Sequence, residues 1–285
     1  MFRICLLVSL FFSSQVLALS VITSIKPFQL ITWDLMAGIA QPELLLSNNA
    51  SPHQYSLKPS DIKRIKNADL IIWYGPELEP FLSKPLTQHS STLTISKIPD
   101  LILRKNGHEH EHGMHDPHVW LGPKQVKVIA FSIKTKLKEK DPENAAHYEK
   151  NYVQFIQQLN NTVISIEKLL KPTKEQGYYV FHDAYGYFES FFSLNHLGHF
   201  TVSPERAPGA KTVMKIRQTI EKQNIRCIFS EPQFSSSVVD SVARNTNIYV
   251  STLDPLGWSI QPEIGSYNQF LFALAKQFSE CLQKK

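Results

Sequence analysis

The 285-residue sequence is poor in cysteine, in charged residues and, after its first residues, in long apolar runs. It contains three cysteines and 19% charged residues, against 42% hydrophobic residues. This composition is typical of a globular protein with a buried core and excludes intrinsic disorder. No later apolar stretch approaches the roughly 20 residues that a transmembrane helix needs, so we expect a soluble mature chain.

Three further absences exclude whole classes of function. The formal net charge is +5, but the basic residues are spread along the chain and form no stripe with aromatic residues, so a nucleic-acid partner is not expected. No GxxxxGK loop occurs, so ATP hydrolysis would belong to another protein. No motif recurs at intervals of about 20 to 50 residues, which excludes a solenoid.

Residues 1–18 have the three parts of a secretory signal peptide. Arg3 supplies a positive start, CLLVSLFF an apolar centre, and VLA, ending at Ala18, a small-residue cleavage site. A membrane anchor is the alternative, but the polar letters SSQ interrupt the apolar run too early for a span. Cleavage would remove the charge of Arg3, and the net charge would fall from +5 to +4.

The cysteines support export. Cys5 lies before the apolar centre of the signal, so it is not placed as a lipid-attachment cysteine at the cleavage site. Cys227 and Cys281 remain as an even pair, for which one disulfide is expected in an oxidising compartment. Two buried free thiols are the alternative. We therefore expect an exported protein without a lipid anchor.

Short apolar runs alternate with amphipathic segments through the rest of the chain. SVITSIKPF, ELLLS and DLIIWYG predict strands in the first half, and FQLITWDLMAGI and SDIKRIKNA predict helices. In the second half YYVF, HLGHF, IRCIFSE and NIYVSTLD predict strands, each followed by a helical segment. This alternation predicts an α/β fold with mainly parallel sheets.

One long helix is predicted between the two halves. Apolar residues recur at intervals of three or four after Pro142, which suits a first helical turn, and no glycine or proline interrupts them before Pro172. Such a helix would extend roughly 40 Å. We therefore predict two βα lobes, at 19–140 and 172–285, joined by a rigid helix at 141–171. Asp141 is expected to cap this helix.

A loop rich in histidine and acidic residues interrupts the first lobe at 106–117. Its letters HEHEH match the zinc-protease motif H-E-x-x-H, which functions only on a helix that presents both histidines on one face. Gly107 and Gly113 flank it without apolar periodicity, so we interpret the match as spurious. Because ordering a loop costs entropy, we expect weak metal binding here, or none. The low-affinity ligands would be His108, His110, His112 and His115.

Three other histidines adjoin predicted strands or packed segments, where their side chains would have a fixed direction. His118 precedes apolar VWL, His53 lies between a strand and a helix start, and His182 directly follows a strand. Asp254 also ends a strand. Ligands gather at the carboxyl ends of parallel strands, so these four residues, two from each lobe, predict a metal site between the lobes. Each histidine alone would more often be a hydrogen-bonded structural residue.

Five segments, in order along nearly the whole mature chain, carry a family resemblance: SPHQYSLKPSDIKRIKNADLIIWYGPELEPFL, DPHVWLGP, VFHDAYGYF, SEPQF and STLDPLG. They resemble the zinc-binding proteins of bacterial ABC importers, the ZnuA-like group. The resemblance implies two α/β lobes joined by a long rigid helix, with zinc held in the cleft by His53, His118 and His182. It also implies a periplasmic location, zinc delivery to an inner-membrane ABC permease with a separate ATPase subunit, and a Cys227–Cys281 disulfide.

This chain departs from the family pattern in two places. Some zinc-type members have a glutamate just before the first histidine, where this chain has Pro52, and the histidine-rich loop is short compared with many relatives. Manganese-type relatives have glutamate at the place of His182, and take a fourth ligand from an aspartate at the place of Asp254. The resemblance therefore favours zinc, with Asp254 or a water as the fourth ligand.

Coordination chemistry leaves some alternatives open. Three neutral imidazoles suit Zn²⁺, and manganese favours more carboxylate oxygen, but copper and nickel also bind imidazole. A carrier of manganese or another divalent metal is therefore one alternative. An exported zinc-dependent hydrolase is another, because zinc with an open position can activate water.

No recognisable catalytic motif accompanies the predicted ligands, so we expect a carrier and not an enzyme. Asp183 is the nearest acidic residue, and we expect it to orient His182 or a neighbouring backbone group. An adhesin or zinc buffer without a transport role is a third alternative. The protein is expected to be monomeric.

Overall fold

A computed structural model describes residues 19–46, 50–105, 115–201 and 208–284. The predicted signal peptide and the loop residues His108, His110 and His112 lie outside this part of the chain.

The first lobe contains a four-stranded parallel sheet in the order β2-β1-β3-β4. Strands β1 and β3 are buried along their whole length, which explains why their sequences are continuous apolar runs without alternation. The strands are β1 (Val21–Thr23), β2 (Glu43–Leu44), β3 (Leu70–Trp73) and β4 (Thr92–Thr94), and the helices are α1 (Lys26–Leu35), α2 (Pro59–Asn67), α3 (Pro80–Leu86) and α4 (Pro123–Lys140).

The second lobe repeats this plan with a parallel sheet in the order β6-β5-β7-β8. Its strands are β5 (Tyr178–His182), β6 (His196–Thr201), β7 (Cys227–Ser230) and β8 (Tyr249–Thr252), and its helices are α6 (Gly186–Phe192), α7 (Ala210–Gln223), α8 (Ser237–Ala243) and α9 (Ser266–Leu282). A disulfide between Cys227 and Cys281 ties β7 to α9. The predicted α/β class and the predicted disulfide are both confirmed.

The long helix α5 (Ala145–Leu170) lies between the two sheets in the sequence and packs against α1, α4 and α9. It begins later than predicted, because Pro142–Asn144 forms a 3-10 turn ahead of it. The prediction that Asp141 caps the helix was wrong: its carboxylate accepts hydrogen bonds from the side chains of Asn144 and Tyr148 and not from a backbone amide. At 26 residues, α5 is about 39 Å long.

One hydrophobic core runs through both lobes without a break. The buried Trp120 joins them directly: its indole N–H donates to the carbonyl of Pro255 at 2.7 Å, and its own carbonyl accepts from the hydroxyl of Tyr267 at 2.7 Å. This shared core, together with α5, ties the lobes into one body. None of the described helices combines the length and the apolar character needed to cross a bilayer.

Candidate metal centre

Three of the four side chains predicted to form a metal site converge in the cleft between the lobes. His182 is the last residue of β5, His118 precedes the short 3-10 helix Val119–Leu121, and His53 lies in the turn after β2. Each offers one ring nitrogen within 4.8 Å of those of the other two, and no other such group of three occurs among the residues that the structure describes. The centroid of the His118 ring is 5.1 Å from that of His182 and 5.8 Å from that of His53.

A buried carboxylate holds the rear nitrogen of two of these rings. The Nδ1 atom of His118 lies 2.8 Å from Oδ1 of Asp116, and Nδ1 of His182 lies 2.7 Å from Oε1 of Glu231. A neutral imidazole beside a carboxylate places its proton on the nitrogen that faces the carboxylate. The Nε2 atoms of His118 and His182 are therefore left with their lone pairs free, as metal ligation requires.

Those two Nε2 atoms face each other at 3.3 Å. In each neutral ring the single N–H proton is on Nδ1, where it is donated in the hydrogen bond to the carboxylate. A hydrogen bond between the two Nε2 atoms would therefore need a second proton on one ring. Two nitrogens bound tetrahedrally to zinc at roughly 2.0–2.1 Å are about 3.3–3.4 Å apart. The spacing thus fits two ligands of a single ion.

The surroundings set the protonation of the rings differently. Burial, reinforced by the nearby rings of His118 and His182, lowers the pKa of His53 well below its usual value. Burial also works against a charge on His182, but the carboxylate of Glu231, together with those of Asp183 and Asp116, outweighs it, and the pKa of His182 is raised. Because only neutral imidazole binds metal, protons compete with the metal more strongly at His182 than at His53.

The space between the rings is small. The cavity at the three histidines measures about 20 Å³, which is enough for one ion or one water molecule and too little for an organic substrate. Pro52, at the position where some zinc-type relatives have glutamate, lines this cavity, as do Glu231 and Gln233.

Asp254 does not join the three histidines. Its Oδ1 atom accepts from the backbone N–H of Leu256 at 3.1 Å and from the amide of Gln233 at 2.9 Å. Its Oδ2 atom accepts from the N–H of Trp258 at 2.7 Å. The carboxylate is thus engaged in holding the turn after β8, and this geometry does not favour the prediction that it serves as a fourth ligand.

Asp183 was expected to orient His182 or a neighbouring backbone group, and the structure gives the first of these roles to another residue. Glu231 fills that role, and Asp183 instead pairs with Arg104, whose Nη1 lies 3.5 Å from its Oδ1. Burial works to raise the pKa of Asp183, but the guanidinium of Arg104 and the rings of His199, His196 and His118 together outweigh it, and the pKa is lowered.

Glu231 and Asp116 were present in two quoted motifs, SEPQF and DPH, but received no role from the sequence. Each is an acidic residue beside a predicted strand or ligand, a signal too common to single them out.

His115 is the one residue of the predicted low-affinity set that the structure describes. It is exposed and pairs with Lys105 in an isolated antiparallel bridge at the base of the histidine-rich loop, and it is not a member of the group of three converging rings.

Comparison with known proteins identifies the family of this chain. A family model described as zinc-uptake complex component A, periplasmic, matches residues 21–281. The high-affinity zinc uptake system protein ZnuA of Yersinia pestis is 40% identical over 290 aligned positions, which cover 93% of this chain and 91% of the relative. The protein of the same name from Haemophilus ducreyi is 37% identical and covers 92% of this chain and 93% of its own length. A solved crystal structure of ZnuA superposes with a TM-score of 0.81 at 25% identity, covering 93% of this chain and all of that one.

Proposed function

The chain belongs to the family of periplasmic zinc-uptake components A, and on this premise we propose that it captures Zn²⁺ with high affinity in the periplasm and delivers it to an ABC-type import permease. Zinc is the cargo and not a resident cofactor. The proposed ligands are Nε2 of His118, Nε2 of His182 and a ring nitrogen of His53, and a water is the favoured fourth ligand.

One observation carries this proposal: two free Nε2 lone pairs from different lobes face each other at 3.3 Å, and each ring is held by a buried carboxylate. Nitrogen donors favour zinc over manganese, which prefers more oxygen. The donor set therefore supports a zinc carrier over the manganese alternative.

The size of the site supports a carrier over a hydrolase. A hydrolase needs room for its substrate beside the metal-bound water, and the cavity at the histidines holds about 20 Å³. The two buried carboxylates beside the rings, those of Asp116 and Glu231, are already hydrogen-bonded to His118 and His182. We therefore propose that the protein binds and hands over zinc and catalyses no reaction.

Release is proposed to depend on local movement of the segments that carry the ligands. Helix α5 packs against helices of both lobes, and the shared core around Trp120 would have to break for a large hinge motion. His53 lies in an irregular turn and is only partly buried, so we propose that its segment moves first.

The proposed partners are an inner-membrane zinc permease and its separate ATPase subunit, and the carrier is proposed to act as a monomer after removal of its signal peptide.

Metal analysis and titration calorimetry on the mature, tag-free protein test the binding step. We expect one tight zinc per chain, retained when residues 106–114 of the histidine-rich loop are deleted; loss of the tight site on deletion would contradict the proposal. Growth of a deletion strain under zinc starvation separates import from adhesion or buffering.

A further inference from the structure

We propose that Arg104 is a positioning residue of the metal site, which holds segments of both lobes in the arrangement that brings His118 and His182 together and thereby slows the release of zinc. The inference rests on the proposed function and deepens it. Arg104 is not itself one of the three predicted ligands; it acts through Asp116 and Asp183, which adjoin His118 and His182.

The first connection lies within the first lobe. Nη1 of Arg104 lies 3.0 Å from Oδ2 of Asp116, a carboxylate with no exposed surface. The other oxygen of Asp116 accepts from both Nδ1 and the backbone N–H of His118, at 2.8 and 3.0 Å. The guanidinium of Arg104 therefore fixes the carboxylate of Asp116, and this carboxylate in turn fixes the ring of His118.

The second connection crosses to the other lobe. The same Nη1 atom lies 3.5 Å from Oδ1 of Asp183, which follows His182 in the chain. The guanidinium also rests on Gly186, where a Cβ atom would overlap it, so the close approach requires glycine. The backbone N–H of Arg104 donates to the hydroxyl of Tyr187 at 2.8 Å, and that hydroxyl donates to the carbonyl of Asp116 at 2.9 Å.

Charge explains why the cation matters. Asp116 and Asp183 come from different lobes and both lie within 3.5 Å of a single Nη1 atom. Without the guanidinium these two largely buried carboxylates would repel each other across the cleft, and removal of one partner from a buried ion pair is strongly destabilising. The expected response is that the two segments separate, which moves His118 away from His182.

Arg104 is also accessible enough for substitution. Its side chain is 32% exposed. It lines a cavity of about 400 Å³ between the lobes, which is separate from the cavity at the three histidines. Arg64 offers a matched control on the first lobe: its side chain is 33% exposed and pairs with Glu43 at 3.0 Å and with Asp61 at 3.8 Å. Arg64, Glu43 and Asp61 do not line the cavity at the three histidines.

The test compares Arg104→Met with Arg64→Met in the full mature chain. Zinc-loaded protein is mixed with an excess of chelator, and the dissociation rate is followed by stopped flow. Outer partners of metal ligands typically change metal affinity about 10–100-fold, so we expect release at least about tenfold faster from Arg104→Met and unchanged release from Arg64→Met. The visible spectrum of bound Co²⁺ should shift only in Arg104→Met.

A second variant guards against failure to fold. Arg104→Lys keeps the positive charge with a shorter reach, and we expect it to release zinc at a rate between those of the wild type and Arg104→Met. The double variant with Arg104→Met and Asp116→Asn should increase the zinc release rate by less than the product of the two single increases, because both substitutions act on His118 through the same carboxylate. Wild-type release rates in both Arg104 variants, or fully multiplicative effects in the double variant, would overturn the inference. Absence of tight zinc in the wild type would instead overturn the proposed function.

Discussion

The Nε2 atoms of His118 and His182 lie 3.3 Å apart, although one ring belongs to the first lobe and the other to the second. Asp116 and Glu231 hold the opposite nitrogens of these rings, so neither ring can turn away without losing a buried hydrogen bond. A divalent ion between the two lone pairs would replace a repulsive contact with two coordination bonds. The spacing of the two nitrogens suits a single small cation.

The three converging histidines should account for nearly all of the tight binding. We expect His182→Ala to weaken zinc binding by at least about 100-fold, since it removes a ligand and leaves Glu231 unpaired, a loss that exceeds the range typical of outer partners. Replacement of His108, His110 and His112 together should leave the tight site intact. Competition titration with a zinc chelator measures both. Similar losses in the two variants would mean that the loop is part of the tight site.

The carboxylate behind His182 should matter more than the predicted fourth ligand. Glu231→Gln removes the negative charge that fixes the ring and strengthens its nitrogen donor, so we expect zinc affinity to fall about 10–100-fold. Asp254→Asn is the matched control, because Asp254 holds a turn without joining the histidines. It should lower the melting temperature and leave the affinity near that of the wild type. A larger affinity loss for Asp254→Asn would restore Asp254 as a ligand.

Zinc binding should weaken as the pH falls. Glu231 raises the pKa of His182 in the metal-free protein, so below that raised pKa zinc must displace a proton before it binds. The lowered pKa of His53 keeps that ring neutral to lower pH, so His53 contributes little to the pH dependence of zinc affinity in this range. We expect the apparent affinity to fall more than about tenfold between pH 7.5 and 5.5, with proton release on binding. Calorimetry in buffers of different ionisation enthalpy measures both, and a flat affinity would argue against a three-histidine site.

The disulfide should stabilise the second lobe without tuning the metal site. Cys227 and Cys281 close a separation of 54 residues between β7 and α9, and loss of such a bridge typically costs about 2–4 kcal/mol. Replacement of both cysteines by serine should lower the free energy of unfolding by that amount in urea. Zinc affinity should stay within about twofold of the wild type. A large affinity loss would show that α9 positions the ligands.

The sequence predicted the fold well because strand and helix periods are local signals. The apolar runs that became β1, β3, β5 and β7 are fully buried, and buried parallel strands are uniformly apolar. The start of α5 was misjudged because a proline suits the first turn of a 3-10 helix as well as that of an α-helix. Helix α4, beside the histidine-rich loop, was not predicted.

Part of the candidate metal site could also be predicted from local signals in the sequence. His53, His118 and His182 could be singled out because each adjoins a strand or a packed segment, and strand ends converge in parallel folds. The carboxylate behind His182 could not be, since Glu231 lies 49 residues away in the chain. Asp116 lies only two residues from His118, but an acidic residue near a histidine is too common a signal to single it out. Asp183 was favoured for being adjacent in sequence, but its side chain faces Arg104. Distances across a cleft depend on packing that a one-dimensional pattern does not carry.

Anomalous diffraction at the zinc edge, from crystals of the mature protein grown with one equivalent of zinc, measures the central geometry directly. We predict one strong peak between the lobes, at roughly 2.0–2.1 Å from Nε2 of His118, from Nε2 of His182 and from a ring nitrogen of His53. A strong peak that lacks any one of these three rings from its coordination shell, or lies only among histidines of the loop, would contradict it.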